Sequence, residues 1–341
     1  MRNAYISGTG GYVPPRVVTN EDLTNEYGIE TSDEWIQQRT GIKERRFAEA
    51  GVGSAELGAK AATMALENAG LKATDLDMII FATLSPEYHF PGSAVFLQEM
   101  LGLCDAGKFV GCLDIRNQCS GFLYGLGTAT SMVKSGAAEH VLVVGGETHS
   151  AALDLSTRGR TVASLFGDGA GAVVVSATDE DRGVRYWKCG ADGRFKDALS
   201  QRVWDIRNRP FIPQDAEGNG LVDPEIMWAH MDGRKVFKHA VTRMCEAVME
   251  ACQTTEVFGP DIDLFLFHQA NMRINQYVAK QLFIPEEKLV HNIHKYGNTT
   301  AATIPLLMWE AVADGRLKPG MKVMCCAFGS GFTWGASLIE W

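Results

Sequence analysis

The sequence has no CxxC pair, no HExxH, no GxxxxGK[ST], and no GxGxxG opening a strand–turn–helix unit. Each absence closes off a class of function. Without CxxC a cysteine-built zinc site has no frame. Without the glycine fingerprints, nucleoside triphosphate and nicotinamide binding are disfavoured. The eight histidines are scattered, and the nearest pair, His291 and His294, has no evident third ligand, so no metal is expected. No apolar run approaches the roughly 20 residues that span a bilayer. There is no basic tract, and the formal net charge is -9, so nucleic acid is not an expected partner. The opening MRNAYISGTG has no long apolar stretch that reads as a secretory signal. Without that context the eight cysteines are not a disulfide framework. The expectation is a soluble protein of a reducing cytoplasm, with no membrane association.

What is present suits a large α/β enzyme. The chain has 341 residues, 46% of them apolar, which is enough for an extensive core. Its 36 glycines sit largely between short apolar runs, as tight turns beside strands require. Residues 4–8 read as a strand turning at Gly10–Gly11. Thr19 opens one short helix, and TSDEWIQQRTG encodes another, with a Ser/Thr cap, acidic first-turn residues and a stop at Gly41. Residues 54–69 form a clear helix of small apolar residues ending at Gly70. Strands at 78–84, 110–115, 141–144 and 170–175 alternate with helices at 94–101 and 121–135, an order that calls for a buried central sheet.

Residues 176–230 mix tryptophans, prolines and charges without steady periodicity. The stretch 195–228 is long for a connection, and reads as a cap, a lid, a partner surface or an ordered excursion without chemistry. Alternation then resumes, with helices at 234–252, 272–282 and 300–314 and strands at 262–267, 323–328 and 337–339. Both parts of the chain end in a strand, a glycine-rich turn and a strand, FGDGAGAVVV and FGSGFTWGASLIE. That repetition suggests two similar halves, 1–175 and 176–341.

Three residues stand where such folds place chemistry. Cys119 follows an apolar strand and precedes a glycine and an apolar helix, where the free N–H groups of a helix N-terminus favour a thiolate. A thiolate is a good acyl acceptor, and the thioester it forms stays reactive. His268 ends the apolar run LFLFH, and Asn298 precedes a helix in HKYGNTTAA. Each has a plainer reading: an inert buried thiol, a core histidine, a turn or N-cap asparagine. Together they make a mechanism. Breaking a C–C bond by decarboxylation develops charge on a thioester carbonyl oxygen, which N–H donors from His268 and Asn298 could stabilise. The carbanion then attacks the acyl group on Cys119, and backbone N–H groups of Cys119 and the FGSG loop can hold the tetrahedral oxyanion. Cys112, Cys325, Cys326, Cys245 and Cys252 read as core packing.

In this order the segments TSDEWIQQRTGI, QCSGF, STRGR with FGDGAGAVV, GRKVFKHAV, HQANMRI, HKYGNTTAA and FGSGFTWG resemble the thiolase-like condensing enzymes, and most closely the β-ketoacyl-acyl-carrier-protein synthase III family, over nearly the whole chain. The resemblance implies a five-layer αβαβα thiolase-like fold and a homodimer. The implied reaction condenses an acyl-coenzyme A primer with malonyl-acyl-carrier protein, with coenzyme A thioesters as substrates and no tightly bound cofactor. The oxyanion hole would use the backbone N–H groups of Cys119 and, in the FGSG loop, Ser330. Trp35 would stack on adenine, Arg39 and Arg158 would meet the nucleotide phosphates, and Phe90 would stand at the primer pocket or be contributed across a dimer. Lys238, Arg273 and Lys280 would form a basic patch that docks the carrier protein.

The sequence departs from the family pattern at RNQCSG, at 195–228 and at SPEYHFPGSA, which bear on primer size or route. A secondary-metabolism acyltransferase, a long-chain condensing enzyme of the same fold and a non-catalytic partner subunit therefore remain alternatives. A degradative thiolase is disfavoured, because FGSG lacks the second catalytic cysteine.

Overall fold

A computed structural model describes residues 2–341 apart from 204, 208–211, 213, 216, 218 and 221–223. Its frame is built from β1 (Asn3–Tyr12), α1 (Ser54–Ala69), β2 (Met78–Ala82), α2 (Ser93–Met100), β3 (Gly111–Ile115), α3 (Gly121–Ser135), β4 (His140–Glu147), β5 (Gly169–Thr178), β6 (Gly183–Ala191), α4 (Gly233–Thr255), β7 (Leu264–Phe267), α5 (Met272–Gln281), α6 (Thr303–Ala313), β8 (Lys322–Gly329) and β9 (Thr333–Glu340).

The first sheet has the order β1-β5-β4-β2-β3, with β2 parallel to both β3 and β4 and the β1–β5 and β4–β5 pairs antiparallel. The second has the order β6-β9-β8-β7, with only β7–β8 parallel. Leu289 bridges the free side of β7 at Phe265, where β3 lies in the first sheet. The two sheets therefore repeat one strand order. Helices α1 and α2 cover the outer face of the first sheet, α4 and α5 cover the second, and α3 and α6 lie between the sheets, giving five layers.

The middle layer explains why α3 and α6 are largely apolar. A helix sandwiched between two sheets has almost no wet face, and Phe122, Leu123, Leu126, Ala129 and Val133 of α3 are all buried. Each large apolar side chain enclosed this way contributes about 1.5–3 kcal/mol. Pro305 sits in the first turn of α6, where its missing N–H has no partner to lose.

Two sequence expectations are corrected. The chain does not turn at Gly10–Gly11; β1 runs straight through to Tyr12. A Cβ at Gly8 would lie 2.2 Å from Ala65 O, and one at Gly10 2.1 Å from Ala61 O. These glycines exist so that α1 can lie directly on the strand. The second correction is β6, which falls within the stretch read as aperiodic. Among the described residues it is an edge strand, paired only with β9, and its mixture of charges and aromatics shows no alternation from which to read it.

Part of 195–228 lies outside the described residues. Its two ends are pinned together by the short antiparallel pair Leu199–Ser200 and His230–Met231.

Candidate active site

Between β3 and α3 the chain makes a single tight turn, Gln118–Ser120. Gln118 takes φ +45°, a left-handed conformation that a non-glycine residue rarely adopts, and this strained step delivers Cys119 to the head of α3. Ser120 Oγ holds the turn, donating to Asn117 O at 3.0 Å and lying 2.7 Å from Thr333 Oγ1 at the start of β9. From the other side the end of β8 closes in. A Cβ at Gly329 would lie 3.0 Å from Cys119 Cβ and 3.1 Å from its backbone nitrogen, so only glycine lets Ser330 come alongside. Cys119 and Ser330 line one cavity of about 660 Å³, with Thr300, His149 and Phe166 in its wall. The near end of the 195–228 excursion contributes Leu199, Ser200 and Val203.

The thiol of Cys119 is not the resting thiolate that a helix N-terminus alone predicts. Burial, and after it the charge of Glu147, push it up to about 12. The turn places the sulfur inside the protein, and its enclosure outweighs the helix N-terminus. Acylation at this site must therefore move a proton.

His268 and Asn298 do not line that cavity, but both connect to it through Thr300. Thr300 is fully buried with φ +48°, an outlier for a β-branched residue. Its amide donates to Asn298 Oδ1 at 2.8 Å, which fixes the side-chain amide and leaves Nδ2 without a partner among the described residues. Its carbonyl accepts from Thr303 Oγ1 at 2.9 Å. Thr303 Oγ1 in turn lies 2.6 Å from His268 Nδ1. His268 Nε2 is buried and has no partner among the described residues. Burial lowers this imidazole to about 3, so the ring is neutral.

On the cavity side the Thr300 hydroxyl meets His149 Nε2, and the His149 ring packs 4.6 Å from Phe166. Burial lowers His149 to about 3 as well.

Below this network lies Glu147, at the end of β4 and fully buried. It accepts from Ser85 Oγ at 2.7 Å, Leu84 N at 3.1 Å, Ser85 N at 3.2 Å and Thr83 Oγ1 at 3.3 Å, and also from the Ala301 amide. Burial raises its carboxyl to about 7, against the pull of these donors. It ties the 83–85 turn to the turn that carries Thr300. Glu147→Ala would orphan these donors at once and is expected to cost about 3–5 kcal/mol of stability, read as a lower urea midpoint. Glu147→Gln keeps one acceptor oxygen and should lose less. An alanine variant within about 1 kcal/mol of the parent would refute this role.

The remaining sequence-predicted residues scatter over the surface. The Arg39 guanidinium lies 4.3 Å over the Trp35 ring. Arg158 is turned away, with its Nε donating to Asp154 at 2.7 Å. The second cation over Trp35 is Arg160, at 5.3 Å, braced by a hydrogen bond to Glu30 O. Phe90 is 81% exposed and does not line the cavity. Lys238 on α4 and Arg273 and Lys280 on α5 are all exposed and form no ion pair among the described residues. The two helices are joined by Phe237, whose ring lies 6.0 Å from the Arg273 guanidinium and 5.4 Å from the Tyr277 ring. Sequence reasoning missed Thr300, Thr303, His149, Glu147 and Arg160. Only Arg160 left a signal, as the second arginine of STRGR. Among the described residues no group of three or more His, Cys, Asp or Glu side chains is placed to hold a metal, and no helix is long and apolar enough to cross a membrane.

Residues 113–193 match the family described as 3-oxoacyl-[acyl-carrier-protein (ACP)] synthase III, and residues 252–341 match its C-terminal part. A Brucella suis protein named β-ketoacyl-[acyl-carrier-protein] synthase III is 41% identical over 100% of both chains. The crystal structure of 3-oxoacyl-[acyl-carrier-protein] synthase III from Aquifex aeolicus superposes with a TM-score of 0.87 at 40% identity, covering 99% of this chain and 100% of that one. The priming β-ketosynthase of the R1128 polyketide pathway superposes with a TM-score of 0.88 at 30% identity, covering 99% and 96%.

Proposed function

This chain belongs to the 3-oxoacyl-[acyl-carrier-protein] synthase III family, and from that premise we propose that it condenses an acyl-coenzyme A primer with malonyl-acyl-carrier protein through an acyl group held on Cys119. In the first half-reaction the Cys119 sulfur displaces coenzyme A from the primer, giving the acyl-enzyme and free coenzyme A. In the second, the malonyl thioester loses carbon dioxide. The electron pair of the broken C–C bond is delocalised onto the thioester oxygen, and the carbanion attacks the acyl carbon. The Cys119 thiolate leaves and is reprotonated, and the product is a β-ketoacyl thioester on the carrier protein. The N–H groups of Cys119 and Ser330 serve the tetrahedral oxyanion, and His268 and Asn298 serve the enolate. The steps use thioester chemistry throughout and call for no tightly bound cofactor. One observation carries the reading: the nucleophile turn and the Ser330 loop share a cavity whose wall, at Thr300, orients both His268 and Asn298.

The nucleotide end of coenzyme A is assigned to Trp35, with Arg39 and Arg160 taking the phosphates, since Arg158 is already engaged by Asp154. The carrier protein is assigned to the exposed Lys238, Arg273 and Lys280, which form no ion pair among the described residues. An acidic partner meets a net-negative enzyme productively only through a local basic patch. A homodimer would pair the open edge of β3, next to the exposed Tyr88, Phe90 and Phe109. Phe90 would then serve the partner's site rather than its own. Eight cysteines without a disulfide suit the reducing cytoplasm.

The deciding experiment exposes the protein to a panel of acyl-coenzyme A primers and follows intact mass, then adds malonyl-acyl-carrier protein and measures carbon dioxide and β-keto product. Acylation at Cys119 followed by both products is expected, and the preferred primer tells primary metabolism from a secondary-metabolism or long-chain role. A folded protein that no primer acylates would leave the non-catalytic partner reading ahead. In the same assay, Lys280→Glu combined with Arg273→Glu should raise KM for malonyl-acyl-carrier protein about tenfold and leave malonyl-coenzyme A unchanged. Equal effects on both donors would rule out the docking patch.

A further inference from the structure

We propose that Thr303 sets the tautomer of His268, and so decides whether this histidine meets the reaction as a proton acceptor or a proton donor. The proposal rests on the reading that His268 acts on the reacting thioesters, and its test separates the two.

The assignment follows from counting hydrogens. Thr303 has one hydroxyl hydrogen and two acceptors within reach, the Thr300 carbonyl at 2.9 Å and His268 Nδ1 at 2.6 Å. His268 is a neutral ring, so one of its two nitrogens carries hydrogen and the other a lone pair. If the hydroxyl points at the Thr300 carbonyl, Nδ1 must carry the hydrogen and donate it to Oγ1. Two hydrogen bonds then form, and the buried Nε2 is left with a lone pair. If the hydroxyl points at Nδ1, one bond forms, the carbonyl keeps only the Thr303 amide, and Nε2 carries the hydrogen. The first arrangement has one hydrogen bond more and is the resting state. Both groups are held in place. Thr303 is the first residue of α6, and the Thr300 carbonyl is aimed by a backbone locked at φ +48°. His268 is anchored by its amide donating to Cys326 O at 2.9 Å and by its carbonyl accepting from Asn275 Nδ2 at 3.2 Å.

The two half-reactions need opposite faces of the imidazole. During acylation the buried thiol of Cys119 loses a proton as the new C–S bond forms, and the departing coenzyme A sulfur gains one. A lone pair on Nε2 suits that transfer. During decarboxylation the enolate oxygen needs a hydrogen on Nε2. The resting arrangement presets His268 for the first. Nε2 passes the Cys119 proton on to the coenzyme A sulfur. Exchange with water admitted as coenzyme A leaves then moves the ring's one hydrogen from Nδ1 to Nε2, water taking the first and supplying the second, and the Thr303 hydroxyl turns onto Nδ1 and holds the ring for the second half-reaction. Thr303 is thus a positioning residue with two settings.

The test is 15N NMR of imidazole-labelled protein, with the His268 signals assigned by their loss in His268→Asn, alongside separate rates for Cys119 acylation and carbon dioxide release. In the parent, His268 should show hydrogen at Nδ1. Thr303→Val keeps the shape and removes the hydroxyl, so the ring should shift toward hydrogen at Nε2. Acylation should slow about tenfold, carbon dioxide release should change less, and the pH dependence of acylation should move. Thr303→Ser should restore the parent signature and rates. A Thr303→Val protein that keeps hydrogen at Nδ1, or a folded Thr303→Ser protein that does not recover it, would overturn the assignment. A shifted tautomer with an unchanged acylation rate would overturn its link to the reaction, while the enolate role given to His268 would fall only if His268→Ala released carbon dioxide at the parent rate.

Discussion

Cys119→Ala is expected to remove the covalent acyl-enzyme entirely and to lower condensation at least about 10³-fold. The size of the effect follows from the site. Cys119 is the only cysteine that lines the cavity, and the strained turn at Gln118 aims that one position at it. Cys325 and Cys326, in β8, are fully buried in the cores on either side of the sheet, so they offer no substitute nucleophile. The loss should be selective. His268 and Asn298 stand on other elements, after β7 and before α6, and depend on Thr300 and Thr303 rather than on the sulfur. Malonyl thioester should therefore still lose carbon dioxide slowly on the alanine variant, with no β-keto product. Intact mass after incubation with primer, together with carbon dioxide release, measures both. Condensation at the parent rate without a mass adduct at Cys119 would remove the nucleophile assignment.

His268→Ala and Asn298→Ala should each lower decarboxylative condensation about 10²–10³-fold, as expected for the loss of one preorganised donor at a developing oxyanion. The two should differ in the first half-reaction. Asn298 makes no contact that acylation needs, so its alanine variant should be acylated at the parent rate. His268→Ala should be acylated about tenfold more slowly, because it also lacks a proton acceptor. Asn298→Asp is a sharper probe. Thr300 N already holds Oδ1, so aspartate presents a carboxylate oxygen where Nδ2 stood, and repels the enolate. It should be at least as impaired as alanine. Single-turnover acylation by quenched mass spectrometry, set against carbon dioxide release, separates the steps. Equal losses in both steps for folded Asn298→Ala would contradict this division of labour.

The outline of the site was legible because its parts sit at ends of elements. Cys119 after an apolar strand, His268 at the end of LFLFH and Asn298 before a helix all stood out by position. Their supporting residues did not. Thr300 and Thr303 look like ordinary turn and helix-start threonines, and nothing in GNTTAA announces a φ of +48°. Glu147 ends an apolar strand like many surface carboxylates, and only the folding of the 83–85 and 300–302 turns around it makes it a buried hub. The expectation of a resting thiolate failed for the same reason: a helix N-terminus is visible in a sequence, but the enclosure of the sulfur is not.

By itself, the sequence determined the alternation of strands and helices outside 176–230 and the largely apolar α3, and it singled out by position the three residues to which the chemistry is assigned. These follow from local periodicity, capping and the apolar runs that lead into each of those positions. Tertiary structure alone decided that β1 continues through its glycines, that 183–191 is an edge strand, that Arg160 rather than Arg158 joins Trp35, and that the Thr303 hydroxyl meets the His268 ring. Each of those depends on a group distant in the chain. A hydrogen bond or a close approach between remote segments leaves no period and no composition from which to read it.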